Sequence, residues 1–366
     1  MRFSKLLPLV AVGVSGGAVQ ALAMPAQTQY VPCQTAVVSP DTTKQAVSIM
    51  TGMISDRVST LNTGVATGAG SSNGTPQITL GMYLPQQNAC GVTQRVLAAD
   101  ETDGGAVQMP QNSVWTSGSI TRVKKTDFGG DYSGSVKNGV VGYDRHLTSD
   151  LVAGLALGYE HVDIDTNYNN GRVLSNSGTV APYIGYAIND WLGLDATVGY
   201  TKIRYHFSRS GNTINGDADA HRWFGAANLT ATQTYGDVVL RGGVGYLRLR
   251  EDQNGYTETA GSTVSDNTLN FGQARATVGA GYNIQTSWGV LTPSTFVRFE
   301  YDLPKAESVT LTSVSASTTD RFGAVFGLGV DSQISNNLTL GLQGTTTEFR
   351  QNTSVYSLAG TVRYKF

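Results

Sequence analysis

Bulky apolar side chains alternate with small or polar ones from about residue 113 to the C-terminus. The alternation is found in residues 151–159, and it returns in residues 321–330 and 356–366. A period of two is that of a β-strand, in which successive side chains point to opposite faces of the sheet. The C-terminal two thirds of the chain is therefore predicted to be all-β.

The connections between the predicted strands alternate in length. Five short turns lie near residues 148–150, 189–190, 235–237, 287–289 and 335–337. Between them are six longer polar loops, near residues 128–131, 165–172, 209–216, 252–265, 303–319 and 350–353. This pattern joins twelve strands and leaves both ends of the region on the short-turn side. Even strand number with this asymmetry is typical of outer-membrane barrels, whereas a secreted all-β protein would turn its apolar face inward.

Composition limits the remaining function classes. No run of 18 apolar residues occurs, so spanning helices are excluded, and charged residues make up only 14% of the chain. The formal charge is -2 without a basic block, so no nucleic-acid binding is expected, and two cysteines with four scattered histidines predict no metal or cofactor. Residues 113–366 are predicted to form a monomeric, twelve-stranded antiparallel transmembrane β-barrel in contact with outer-membrane lipid.

Residues 1–23 have the features of a secretory signal peptide. Arg2 and Lys5 precede an apolar run, and Ala21-Leu22-Ala23 supplies the small residues of a cleavage site. Export brings the chain into an oxidising compartment, where Cys33 and Cys90 can form a disulfide; two reduced thiols are the alternative.

Residues 24–112 form a short N-terminal segment that contains one helical pattern, over about residues 42–62. Thr42 and Gln45 make a capping box, and Asn62 with Gly64 makes a stop signal. Apolar side chains recur there at spacings of three and four, at Val47, Met50, Ile54, Val58 and Leu61.

This apolar stripe needs a surface to pack on, and two placements are open. In the first, the helix threads the barrel lumen, with the stripe against luminal residues such as Phe224, Phe271 and Phe296. Its polar side, which includes Lys44, Asp56 and Arg57, then faces luminal charges. In the second, the helix lies outside the barrel, in a small domain closed by the disulfide.

Charged residues in the predicted strands are expected to line the lumen, because they share the parity of side chains opposite the apolar face. These lumen charges are Glu160, Arg241, Arg298, Glu300, Arg363 and Lys365. They could line a water channel or bind a plug, or they could pair with one another across a sealed lumen.

The last strand has apolar groups at alternate positions and ends on Phe366. It resembles the C-terminal signature that the outer-membrane assembly machinery of Gram-negative bacteria reads. The resemblance implies that Tyr364 and Phe366 act as the assembly signal and that this machinery is a partner of the chain.

Residues 113–366 resemble the autotransporter β-domain, the translocator of type V secretion. The similar phrases are Val114-Trp115, Gly142-Tyr143-Asp144, Leu155 to Tyr159, Tyr183 to Tyr186, Gly199-Tyr200, Thr292-Pro293 and Tyr364-Lys365-Phe366. The resemblance implies a twelve-stranded barrel in the outer membrane of a Gram-negative bacterium, with a helix in its lumen. Its function would be to anchor and to export or display the N-terminal segment, without catalysis.

Two other functions are considered. The first is a porin-like channel plugged by the N-terminal helix. The second is a hydrolase of the outer-membrane phospholipase type, since His206 and Ser208 are spaced by two on one strand, with Asn212 nearby.

Overall fold

The computed structural model describes residues 39–62, 112–126, 130–303 and 321–366. The predicted signal peptide, Cys33 and Cys90 lie outside these residues. One helix, α1, spans Ser39–Asn62, and its side chains are described from residue 43 to residue 57. Twelve long strands follow: β1 Asn112–Lys125, β2 Tyr132–His146, β3 Leu151–Thr166, β4 Gly171–Ala187, β5 Leu192–Arg209, β6 Ile214–Tyr235, β7 Val238–Gln253, β8 Asn267–Tyr282, β9 Gly289–Asp302, β10 Phe322–Gln333, β11 Leu338–Glu348 and β12 Thr353–Lys365.

The strands close into a single antiparallel barrel, as the sequence predicts. Each long strand pairs with its neighbours in the chain, and β12 pairs with β1, so that Ser113 lies opposite Lys365. Beyond this register, the Asn112 and Phe366 backbones exchange hydrogen bonds of 3.2 and 3.0 Å. Closure leaves no unpaired sheet edge, which is the condition for a β-structure to cross a bilayer.

Short turns and longer connections lie at opposite ends of the barrel. The two-residue turn between β6 and β7 places Gly236 at a φ of 60°, where a residue with a side chain is disfavoured. The connection between β7 and β8 carries a small hairpin in which Tyr256–Thr257 pairs with Thr263–Val264. A short strand, Ile284–Thr286, pairs with the start of β9. Both ends of the barrel sequence lie at the short-turn end, as predicted.

The two faces of the sheet differ as the alternation predicts. On β3, Leu155, Leu157 and Tyr159 are 46%, 53% and 56% exposed on the outer surface, while Ala156 and Glu160 are buried. Trp191 and Trp288 are exposed near the short turns. An apolar outer band bordered by aromatic rings is what a barrel presents to lipid. No helix within the described residues is long and apolar enough to cross a membrane.

The core of the molecule lies inside the barrel. One apolar cluster joins α1 to the inner wall, and it includes Met50, Ile54, Trp115 and Phe224. A second cluster fills the long-loop end, where Tyr205, Phe207 and Tyr256 stack with ring centroids 5.3 and 5.1 Å apart. Of the two placements left open by the sequence, α1 therefore occupies the lumen.

Candidate functional site

The candidate site is the lumen of the barrel together with α1. The six predicted lumen charges have inward parity on their strands, and the three most buried are Glu160, Glu300 and Arg363, at 1%, 4% and 8% exposure. Arg298 donates to Glu300 at 3.1 Å, and Arg363 donates to Thr339 at 3.3 Å. Arg241 and Arg298 interact electrostatically with Asp56 of α1. Arg298 and Glu300 thus pair with one another, while the positive charges of Arg241 and Arg298 act on Asp56 of the helix.

The apolar stripe of α1 packs on one side of the lumen. Val47, Met50 and Ile54 are 1–3% exposed and lie in the cluster that also contains Phe224, with Phe271 packed against it. Phe296, the third aromatic residue proposed as a partner, lies instead over Gly327, whose Cβ would stand 2.1 Å from its ring. The side chains of Val58 and Leu61 lie outside the described residues. The backbone of the helix comes closest to β2 to β6, so it sits off the barrel axis.

At the long-loop end, α1 is held by hydrogen bonds and charge. Thr43 donates to Glu251 at 2.9 Å, and Lys44 forms an ion pair with Asp302. The Lys44 ammonium also stands 5.0 Å from the centroid of Phe271, a cation–π distance. These contacts reach from β7 to β9.

The middle of α1 makes polar contacts as well. Arg275 donates to the Ser48 hydroxyl at 2.9 Å. Ser55 donates to Asp195 at 3.1 Å and accepts a hydrogen bond of 3.0 Å from Asn228. Serine on the polar side of the helix therefore meets charged or amide groups from β5, β6 and β8.

At the short-turn end, Arg57 of α1 meets Asp144 of β2. The Arg57 Nε and Nη2 atoms donate to the two carboxylate oxygens at 2.8 and 2.6 Å. The two side chains are only 2% and 0% exposed. Tyr183 and Ser113 also donate to Asp144. Both ends of the helix are thus fixed by charged contacts to the barrel wall.

The sequence model of the autotransporter β-domain family matches residues 114–345, more than half of the chain. The chain belongs to the autotransporter β-domain family. The translocator domain of the autotransporter NalP from Neisseria meningitidis has a TM-score of 0.61 at 18% identity, covering 90% of this chain and 100% of that one. The β-domain of the Bordetella autotransporter BrkA has a TM-score of 0.60 at 15% identity, covering 70% and 100%. No curated protein sequence matches the chain.

Membership of the autotransporter family gives the barrel its orientation. Barrels of this family lie in the outer membrane of Gram-negative bacteria and export passenger domains. In outer-membrane barrels the short turns face the periplasm and the long loops face outside. Thr43 and Lys44 therefore lie toward the outer mouth of this autotransporter, and Arg57 lies at the periplasmic mouth. The α1 helix fits the place of a plug.

Several luminal residues were not singled out from the sequence. Asp144, Arg222 and Glu251 belong to this group, and each has inward parity on its strand. Arg222 donates to Glu251 at 2.8 Å and lies 3.5 Å from Glu160, and Tyr205 donates to Glu251 at 2.7 Å. Parity could have placed all three in the lumen, as it did the six predicted charges.

The residues considered for a hydrolase do not form a catalytic pair in the autotransporter barrel. Ser208 donates to Asn212 at 2.7 Å, so its proton is directed away from an imidazole. His206 instead contacts Asp217 at 2.8 Å on the exposed face. A serine nucleophile needs a base within hydrogen-bond reach, and this arrangement gives Ser208 none among the described contacts. No group of three His, Cys, Asp or Glu side chains in the described residues could hold a metal ion.

The outer mouth is largely filled by protein. Arg209 and Glu258 join the small hairpin to β5 through hydrogen bonds of 2.8 and 2.6 Å. Tyr168, in the connection between β3 and β4, packs against the apolar cluster at the long-loop end that contains Tyr205, Phe207 and Tyr256. Burial raises the pKa of Tyr168 well above its usual range, so its hydroxyl remains neutral.

Tyr364 and Phe366 lie on the outer surface at the periplasmic end of the barrel. They are 51% and 54% exposed, and their ring centroids are 6.3 Å apart. Their position leaves both rings accessible to lipid and to another protein.

Proposed function

We propose that this autotransporter carries the short segment before α1 across the outer membrane and holds it at the cell surface, with α1 retained as the plug. The observation that best supports the proposal is that α1 runs from the outer mouth toward the periplasm. Thr43 and Lys44 contact the outer part of the wall, and Arg57 contacts the periplasmic part. A chain that runs this way continues outward before Ser39 and enters the periplasm after Asn62. With a signal peptide removed after Ala23, the displayed segment is residues 24–38, and residues 63–111 connect α1 to β1 on the periplasmic side.

The proposed role is anchoring and display by a monomeric barrel, without a catalytic step. The ion pairs at both ends of α1 support it, because withdrawing the helix would leave the buried Asp144 carboxylate without Arg57 and would remove Lys44 from Asp302, which among the described residues would keep only Arg350. The outer-membrane assembly machinery is the proposed partner during insertion. The accessible Tyr364 and Phe366 rings at the periplasmic end support that assignment.

Two epitope insertions test the direction of the chain. One is placed between Gln27 and Thr28, in the proposed displayed segment, and the matched one between Gly70 and Ser71, in the proposed periplasmic connection. Antibody binding and proteinase K digestion are then measured on intact cells and on cells with a permeabilised outer membrane. We expect the first epitope to be accessible on intact cells and the second only after permeabilisation.

Protection of the first epitope on intact cells would contradict display and would favour the plugged channel with its N-terminal segment in the periplasm. Access to the second epitope on intact cells would also contradict the proposed direction. Heat-modifiable migration of both insertion proteins controls for barrel assembly.

A further inference from the structure

The contact between Arg57 and the barrel has the features of a built binding site. Asp144 accepts two donors on each carboxylate oxygen: Arg57 Nη2 and Ser113 Oγ on one, and Arg57 Nε and Tyr183 OH on the other. Four accepted hydrogen bonds use the full capacity of a carboxylate. Arg57 also donates to Ser113, so two polar groups of the wall bind the same guanidinium.

The wall behind Asp144 is held in place by two aromatic rings. Trp115 Nε1 donates to Tyr183 OH at 2.8 Å, and Tyr183 OH donates to Asp144 at 2.8 Å. The rings are 1% and 2% exposed, and they meet edge to face with centroids 6.3 Å apart. This chain of donors orients the carboxylate before any ligand arrives, because each of its members belongs to the barrel.

Two glycines make room for these rings. A Cβ at residue 142 would stand 2.3 Å from the Trp115 ring, and one at residue 154 would stand 2.3 Å from the Tyr183 ring. Both distances are too short for any larger residue without moving a ring. One pocket therefore brings together three short motifs that are far apart in the sequence: Val114-Trp115, Gly142-Tyr143-Asp144 and Tyr183 to Tyr186.

We propose that Ser113, Asp144 and Tyr183 form a guanidinium-binding pocket at the periplasmic mouth, and that Arg57 binds there to fix the register at which the chain stops in the pore. The proposal deepens the function proposed above and rests on it. A planar guanidinium donates two parallel hydrogen bonds to a carboxylate, whereas an ammonium cannot. Between residues 24 and 111 only Arg57 and Arg95 carry a guanidinium, so the pocket has few residues to select from.

The register can be measured by a disulfide between α1 and the wall. Ser55 Oγ lies 3.0 Å from Asn228 Nδ2, so Ser55→Cys with Asn228→Cys should cross-link in the correct register. The pair is built in full-length protein with Cys33→Ser and Cys90→Ser, and cross-linking is followed under mild oxidation. We expect Arg57→Ala to slow cross-linking at least about tenfold, because it leaves a buried carboxylate unpaired. Arg57→Lys should fail to restore the rate.

Arg172→Ala is the matched control. Arg172 also binds a carboxylate through two hydrogen bonds of 2.7 Å, with Asp163, but this pair is partly exposed on the barrel strands. We expect it to leave the cross-linking rate unchanged. A cross-linking rate in the Arg57→Lys protein equal to that of the parent would overturn the proposal.

A second measurement covers the case in which Arg57→Ala weakens folding. Guanidinium chloride at about 20 mM, well below denaturing concentration, should occupy the vacant pocket and raise the melting temperature of the Arg57→Ala barrel. The same concentration of ammonium chloride should not, and neither salt should stabilise the parent, whose pocket is filled. Equal effects of the two salts on the Arg57→Ala barrel would overturn the proposal. Because these measurements use the purified barrel, they can succeed even where the epitope test rejects surface display, so the two failures are distinguishable.

Discussion

At the scale of single residues, Arg222 shows how charge is accommodated inside the barrel. It is among the largest fully buried side chains of the described residues, and it binds both Glu160 and Glu251. Glu251 in turn accepts a hydrogen bond from Thr43 of α1. A single guanidinium thus bridges two carboxylates and holds in place Glu251, the wall group that binds the helix.

Replacing Arg222 with leucine should destabilise the barrel strongly. The change leaves two buried carboxylates without their shared cation, and breaking a buried pair in this way costs about 3–5 kcal/mol. Urea unfolding of the refolded protein in lipid vesicles, followed by tryptophan fluorescence, measures the free energy of unfolding. The control is Arg204→Leu, because Arg204 is 80% exposed and lies 3.9 Å from Asp219. It should change that free energy by less than about 1 kcal/mol. Similar values for the two variants would contradict the role given to Arg222.

Parity predicts which residues face the lumen, but it does not predict their partners. Glu160 and Arg222 are 62 residues apart in the chain, and Arg57 and Asp144 are 87 apart. Such pairs depend on the tilt of the strands and on the position of the helix. The alternation of side chains along a strand gives no information about either. The packing of aromatic rings over Gly142 and Gly154 could not be predicted from the alternation for the same reason. In each case the ring and the glycine belong to different strands.

At the scale of elements, the twelve strands follow from their alternation and from the turn residues between them. The helix was predicted over residues 42–62 and is observed at Ser39–Asn62, so only its start differs. It begins three residues earlier than predicted, so Thr42 lies within the first turn and is not the N-cap; Pro40 is compatible with that turn because its fixed φ suits a helix start. The small hairpin between β7 and β8 was predicted only as a loop, because its two-residue strands are too short to show an alternation.

The choice between the two placements of α1 could not be made from the stripe alone. An apolar stripe needs a complementary wall, and that wall is assembled from residues of several strands, such as Ala156, Ala181 and Phe224. The small Ala156 and Ala181 side chains leave room for the helix and the Phe224 ring packs with it, and these residues come together only when the barrel is closed.

Deleting residues 42–62 should open the pore. The helix fills one side of the lumen and bridges charges on the other, so its loss should raise single-channel conductance in planar bilayers several-fold. Deletion of residues 66–86, which removes the same length of chain outside α1, is the control and should leave conductance near that of the parent. Heat-modifiable migration shows that each barrel is folded. An unchanged conductance after loss of residues 42–62 would mean that α1 does not block the pore.

At the scale of the whole molecule, the helix lies between Cys33 and Cys90, which the sequence alone would allow to form a disulfide. With 24 residues, α1 is about 36 Å long, comparable with the thickness of a membrane. Cys33 precedes Ser39 by six residues, which extend at most about 21 Å. On the proposed direction of the chain, Cys33 therefore stays on the outer side of the membrane while α1 occupies the lumen. On the same proposal, Cys90 follows the periplasmic end of α1, so it would reach the outside only by passing through the lumen beside the helix.

A disulfide between Cys33 and Cys90 and a threaded α1 are therefore alternatives, and we expect no such disulfide in the assembled protein. A membrane-impermeant maleimide should label Cys33 on intact cells and Cys90 only after the outer membrane is permeabilised, because the barrel wall and its plug lie between them. Single Cys33→Ser and Cys90→Ser variants assign each label. Finding the Cys33–Cys90 peptide pair by mass spectrometry in heat-modifiable protein would contradict the proposed arrangement, in which α1, bound to the wall through Lys44 and Arg57, lies between the two cysteines.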